Sequence, residues 1–458
     1  NIITLNYCFL FSHPYESVIF VSIKNIKMIN NFIDVLRWRG MIHDVMPGVE
    51  AHLLEKMRSA YVGFDPTADS LHIGNLVPIM LLAHYQKCGH KPFVLVGGAT
   101  GMIGDPSGKS TERNFLDEKS LRHNQESIKN QLSHFLNFDD GEMNAAVLVN
   151  NYDWMKDLSF LDFIRDIGKH ITVNYMMAKD SVKNRITAES SDGMSFTEFT
   201  YQLVQGYDFL HLHKTYDCTI QMGGSDQWGN ITTGTELIRR VGNGKGFAIT
   251  CPLITKSDGS KFGKSEGGNI WLDANRTSPY KFYQYWLNSS DIDADKYIKI
   301  FTFLKQDEIL ALIDLHNEQP HLRMLQKRLA QEITTMVHGQ ANFENAEKAS
   351  TILYSKSFKS DIQTLDEVTF LDIFEGVPTA EVPKNMIDTG LGMIAALSAE
   401  TKFLGSNAEA RRALKENSIS VNKEKVGEDY KISKFDLINN SYIIINRGKR
   451  STFIIRVI

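Results

Sequence analysis

The chain of 458 residues has only four cysteines (Cys8, Cys88, Cys218, Cys251), scattered and with no Cys-x-x-Cys pair. That excludes a disulfide framework or a structural zinc site, and it fits a reduced, cytoplasmic compartment. No apolar run reaches the length of a membrane span, so no membrane partner is expected. Charge of one sign is missing too: 50 basic against 54 acidic side chains leave a formal −4, and any contact with nucleic acid has to come from local patches. No metal ligand set can be read. The glycine-rich turn from Gly97 to Ser110 is not a P-loop, because Gly104 to Gly108 encloses three residues where that cradle needs four, and it is not a dinucleotide fingerprint either.

What is present is an ordinary globular composition, 42% hydrophobic and 23% charged, in a chain too long for one core. Two or three domains are expected. The most informative stretch runs from Tyr61 to Asn75. Ala60 to Phe64 reads as a strand, Asp65-Pro66-Thr67-Ala68-Asp69 breaks it, and an apolar helical pattern opens at His72. Strand, loop and helix in that order begin many α/β nucleotide sites, and the free N–H groups of the helix end suit an anion. Gly74 removes a side chain where a ligand would press, while His72 and Asn75 put donors on one face. Taken alone, these residues are better read as capping or surface groups, since a four-residue match arises by chance.

They gain meaning beside Lys261-Phe262-Gly263-Lys264-Ser265, far along the chain. Together, HIGN and KFGKS resemble the paired signatures of class I aminoacyl-tRNA synthetases, and the flanking sequence resembles the bacterial-type tyrosyl-tRNA synthetases from about residue 28 to the C-terminus. The resemblance implies an α/β fold: a Rossmann-like doubly wound parallel sheet with a helical insertion, then an all-helical domain and a small α+β RNA-binding domain. It implies activation of L-tyrosine by ATP, with Mg²⁺ accompanying the nucleotide, and transfer of tyrosyl to tRNA(Tyr) by a homodimer. Both signatures depart from the usual pattern: Asn75 replaces the second His of HIGH, and Phe262-Gly263 replace Met-Ser of KMSKS.

Residue roles follow from the same resemblance. His72, Asn75, Thr67, Lys261, Lys264 and Ser265 form the catalytic set, joined by Lys109 and Arg113, which resemble a mobile loop closing over pyrophosphate. Cations there are useful while charge develops in the transition state. Tyr201, Gln205 and Asp208 fall on one helical stripe at i, i+4 and i+7, a pattern equally compatible with a solvated face. By resemblance, Asp105, Tyr201 and Gln205 hold the α-amino group of tyrosine, and Tyr61 with Asp208 hold its phenol. Gln221 and Gln227 line the tyrosine and acyl-phosphate region, and Asp226 takes the ribose, although a helix N-cap is another reading of Asp226. Gly63, Asp65, Gly74 and Gly223, with Lys264, complete the ATP site.

The remaining chain divides as 28–276 (catalytic, with a dimer-forming insertion at about 150–195), 277–350 (helical, near the anticodon arm), 351–388 (linker) and 389–458 (resembling a small ribosomal-protein RNA-binding fold). In the last, Arg411, Arg412, Lys415, Lys449 and Arg450 concentrate cations that phosphates could meet. Met28 is the expected start, since the 1–27 extension carries two short apolar patches without the layout of a signal peptide. A tryptophan-specific enzyme shares the architecture, but Tyr61 with Asp208 fits a phenol better. Intact HIGN and KFGKS weigh against a non-catalytic RNA-binding descendant.

Overall fold

A computed structural model describes residues 31–103, 117–179, 182–183, 194–265, 268–352, 358–363, 365–448 and 451–458. Six strands form the central sheet: β1 (Asp44–Val45), β2 (Ser59–Phe64), β3 (Lys91–Val96), β4 (Val147–Asn150), β5 (Cys218–Gly224) and β6 (Phe247–Cys251). Their order is β1-β6-β5-β2-β3-β4. All pairings are parallel except the edge pair β1–β6. Continuous apolar runs such as Pro92–Val96, buried throughout, are what a parallel sheet covered on both faces requires. Strand order reverses between β2 and β5, and a ligand crevice is expected outside the carboxyl ends there.

Helix α1 (Leu76–Lys87) follows β2 and buries nearly every side chain. The HIGN segment before it is a 3₁₀ turn, Ile73–Asn75, and not yet α-helix. Helix α2 (Phe196–Tyr216) opens with a Ser195/Glu198 capping box and closes on Asp217 in the left-handed region, φ 49°. It packs tightly on α3 (Trp228–Gly242): a Cβ on Gly234 would stand 2.8 Å from Phe209 Cβ. Small residues at that crossing let the two backbones approach.

Within the insertion, short helices span Phe160–Asp166 and Val173–Met177. They turn Ile167, Ile171 and Met176 inward and leave Phe160, Leu161 and Val173 exposed. The first part of the glycine-rich turn, expected as a loop, is a helix over Gly98–Ile103.

The helical segment includes α4 (Pro279–Leu287), α5 (Asp291–Phe301) and α6 (Met324–His338). Phe282, Tyr283 and Trp286 are buried, and Tyr280 and Tyr285 are half-buried. The stretch expected as a linker is largely structured. Thr379–Val382 pairs in parallel with Ser451–Val457, making it the edge of a five-stranded C-terminal sheet. Phe358, Ile362, Phe370 and Phe374 join Ile352 to Tyr442, Ile444 and Ile454 of that sheet in one apolar cluster. Pro378 and Pro383 bracket this edge strand, and Pro383 caps the start of the helix Lys384–Thr389.

One buried cation ties the start of the catalytic unit to the helical segment. Arg39 is 7% exposed and donates to the carbonyls of Lys299 (2.5 Å), Thr302 (2.8 Å) and Leu304 (2.9 Å) at the end of α5. Burial lowers its pKa to about 10, so it stays charged at neutral pH and complements the negative end of the helix. Replacing it (Arg39→Ala) is expected to cost about 3 kcal/mol in urea unfolding, the loss expected for charged buried hydrogen bonds. A change below about 0.5 kcal/mol, typical of surface sites, would contradict this role.

Candidate active site

At the strand-order reversal lies a cleft of about 490 Å³. Of the residues expected there, Tyr61, Gly63, Asp65, Thr67, His72, Asn75, Tyr201, Gln205, Asp208, Gln221, Gly223 and Gln227 all line it. The carboxyl end of β2 contributes the first of these, α2 the next and β5 the last. Asp105, Lys109, Arg113, Lys449 and Arg450 lie outside the described residues. Gly74, Asp226, Lys261 and Lys264 stand beside the cleft without lining it.

The HIGN turn is held by its own atoms. Asn75 Oδ1 accepts from the His72 N–H at 3.1 Å, so the amide nitrogen remains as the donor Asn75 can present. A Cβ on Gly74 would come within 2.9 Å of the His72 ring, so glycine is required for the ring to lie where it does.

The KFGKS segment meets this turn directly. Ile73 donates to the Ile270 carbonyl (2.9 Å), Ile270 donates to that of Gly263 (3.1 Å), and Leu272 donates to that of Leu71 (2.8 Å). Gly263 has φ +86°, and a Cβ there would press on Gly74 N at 3.2 Å. Lys264 pairs with Asn269 in a short hairpin. The two lysines therefore sit on backbone docked against HIGN, with exposed side chains.

The aromatic end of the cleft is set by burial. Asp208 is fully buried, and its carboxylate accepts from Asn151 Nδ2 (2.9 Å) and Trp154 Nε1 (3.0 Å). Burial raises its pKa to about 7, while those two donors pull it down. Tyr61, 1% exposed, has a hydroxyl with no hydrogen-bond partner among the described residues, as does Gln221 Oε1. Desolvation, with the Asp208 charge adding to it, raises the Tyr61 pKa well above its ordinary value, so it stays protonated. Buried polar atoms left open toward a cavity are costly unless a ligand completes them.

Along the other wall, Gln205 donates to Gln227 Oε1 (3.3 Å), and Gln227 donates to Asp226 (3.2 Å). Asp226 lies in the 3₁₀ turn Ser225–Gln227, and no cap hydrogen bond from its side chain is seen. The residues that sequence patterning missed are Asn151 and Trp154, which aim Asp208, and Trp271, whose ring faces His72 at 5.9 Å. The only signal was the polar-aromatic cluster Asn150–Trp154 directly after a strand, which by itself names no partner.

In the C-terminal unit, Arg411, Arg412 and Lys415 are exposed on the helix Asn407–Lys415. Arg411 reaches Glu428 at 3.5 Å.

A family model described as tRNA synthetases class I (W and Y) matches residues 55–355. A second, for the tyrosine–tRNA ligase C-terminal domain, matches residues 369–455, starting inside the expected linker. The tyrosine–tRNA ligase of Flavobacterium johnsoniae is 61% identical over 430 residues, 93% of this chain and 100% of that one. The chain belongs to the tyrosyl-tRNA synthetase family. The ligase of Porphyromonas gingivalis is also 61% identical, over 93% of this chain and 100% of its own. Among solved structures, a C-terminally truncated mitochondrial tyrosyl-tRNA synthetase of Aspergillus nidulans superposes with a TM-score of 0.63 at 32% identity. That match covers 70% of this chain and 94% of the other.

In this family setting, the Asp208 carboxyl is the group to watch by titration. With ¹³C-labelled aspartate, one side-chain resonance, absent in Asp208→Asn, is expected to titrate near pH 7, the value set by its burial. Asn151→Ala, which deletes a donor to the charged form, is expected to move that midpoint upward. A midpoint at about 4, the ordinary carboxyl value, would contradict the geometry.

Proposed function

We propose that this cleft joins L-tyrosine to ATP, releasing pyrophosphate, and then passes the tyrosyl group to the 3′-terminal adenosine of tRNA(Tyr) with release of AMP. The observation that carries the reading is the open Tyr61 hydroxyl beside the Asp208 carboxylate, in a cleft walled by HIGN and bordered by KFGKS. A phenol inserted there donates to Asp208 and completes Tyr61. Phenylalanine leaves both groups buried and unpaired, a rejection known for this family as a whole.

In the first step the tyrosine carboxylate oxygen bonds to the α-phosphorus, and the bond from that phosphorus to the bridging oxygen of the leaving pyrophosphate breaks. No enzyme nucleophile takes part. The chain supplies position and charge: Tyr201 and Gln205, with Asp105, hold the ammonium end of tyrosine. Gly63, Asp65, Gly74, Gly223 and Asp226 admit the nucleotide. His72, Asn75, Thr67, Ser265, Lys261 and Lys264, with Lys109 and Arg113, meet the charge that builds on the phosphates.

Magnesium enters with ATP as part of the substrate. Among the described residues no group of three or more His, Cys, Asp or Glu is arranged to hold a metal. The exposed Phe160, Leu161 and Val173 support burial of the insertion against a second copy of the chain. Arg411, Arg412 and Lys415, with Lys449 and Arg450, are suited to tRNA phosphates. Among the described residues no helix is long and apolar enough to cross a membrane, and the cytoplasm is the proposed site of action.

Pyrophosphate exchange into ATP, assayed with each amino acid in turn, is expected to depend on tyrosine alone. In the same assay His72→Ala is expected to lower kcat by about 100-fold or more, the scale of a lost transition-state donor, and to leave the tyrosine KM nearly unchanged. Exchange driven by tryptophan, or an equal loss in both parameters, would overturn the reading.

A further inference from the structure

We propose that Phe262 and Tyr285 are positioning residues for the adenylation step, holding Lys261 and Lys264 at their working height from a socket in the helical segment. The inference rests on the reading that these lysines act on the triphosphate. Two lysines on long flexible stems help a transition state only if their backbone is fixed beforehand. In this chain the residues between them carry that constraint.

Phe262 is the one large apolar side chain in KFGKS, and it leaves the nucleotide fold altogether. Its ring stacks on Phe301 of α5 with centroids 5.3 Å apart and planes 4° from parallel. Tyr297 lies 5.2 Å away, and Trp286 and Tyr285 lie 6.0 and 6.3 Å away, so four aromatic rings of α4 and α5 form the socket. Gly263 is pinned on three sides. Its N–H donates to the Tyr285 hydroxyl at 3.1 Å, its carbonyl accepts from Ile270, and a Cβ on it would press on Gly74 N at 3.2 Å. Lys256 adds a weaker hold through the Lys264 carbonyl at 3.3 Å.

The side chains of both lysines are exposed. What the socket fixes is the backbone from which they extend. Filling a core is a sufficient reason for Phe262 to be aromatic, but it gives no reason for the Tyr285 hydroxyl to meet the Gly263 N–H. If Phe262 only packed, its loss would lower stability and leave the chemical step of the folded protein intact.

The test is tyrosine-dependent pyrophosphate exchange by full-length Phe262→Ala, Phe262→Met, Tyr285→Phe, Lys264→Ala and the Phe262→Ala/Lys264→Ala double variant, each assayed well below its unfolding midpoint. Phe262→Ala is expected to lower kcat by about tenfold or more, with the tyrosine KM within about twofold, the signature of an interaction made in the transition state. Phe262→Met, long and apolar, is expected to restore most of the rate. Tyr285→Phe keeps the ring and loses one hydrogen bond, so a smaller fall in kcat with unchanged KM is expected, and this variant carries the test if Phe262→Ala does not fold.

The double variant is expected to be slower than Lys264→Ala only by the part of the loss that runs through Lys261, and so to lose less than the product of the two single losses, because a lysine already removed cannot be mispositioned. Wild-type kcat in folded Phe262→Ala and Tyr285→Phe, or losses that multiply in the double variant, would overturn the proposal. Wild-type kcat in Lys264→Ala would instead remove the reading of the loop on which it stands, and the proposal with it.

Discussion

Everything at the cleft depends on the docking of one short stretch of backbone on another. The Ile73 N–H reaches Ile270, the Ile270 N–H reaches Gly263, and Gly263 lies on Gly74 without a side chain between them. These are main-chain contacts, so they specify geometry independently of which side chains carry the chemistry. Two glycines are needed for the approach, one to lie beneath the His72 ring and one to adopt φ +86°. With the two segments joined, the open end of the parallel sheet acquires a rim of KFGKS backbone, from which the exposed Lys261 and Lys264 extend. Arg39 and the Phe262 socket then hold the helical segment in register with that rim.

The end of the cleft at Tyr61 and Asp208 is instead set by isolation from water. A carboxylate buried as deeply as Asp208 opposes folding unless donors surround it, and Asn151 and Trp154 supply only part of the compensation, leaving the pKa at about 7. The Tyr61 hydroxyl is left open as well. Both are the kind of local inconsistency that marks a functional site, where stability is sacrificed for recognition. The cleft thus has one end lined by the buried Tyr61 and Asp208 and another lined by His72 and Asn75, on whose turn the KFGKS backbone docks.

Much of this was legible in the residue order because it rests on local rules. β2 and β3 are apolar runs between breakers. Helix α1 ends at Gly89, and the stripe Tyr201, Gln205, Asp208 does face a pocket, where periodicity alone left a solvated face equally open. What stayed hidden depends on partners distant in the chain. Asn151 and Trp154 matter because Asp208 comes to them, and nothing in their own neighbourhood announces it. Thr379–Val382 is too short and too flanked by proline to read as a strand until the final strand lies beside it. Asp44–Val45 is a two-residue edge strand with the same difficulty. The Gly98–Ile103 helix runs against glycine's weak propensity, and a Cβ on Gly97 or Gly98 would collide with neighbouring side chains, so close packing overrides propensity there.

The most direct test is a crystal structure of the protein with a non-hydrolysable analogue of tyrosyl-adenylate. The account predicts the phenol oxygen between Tyr61 and Asp208, the ribose against Gly223 and Asp226, and the phosphate mimic between His72 and the KFGKS lysines. A nucleotide bound apart from His72, or a phenol pointing to solvent away from Asp208, would contradict it.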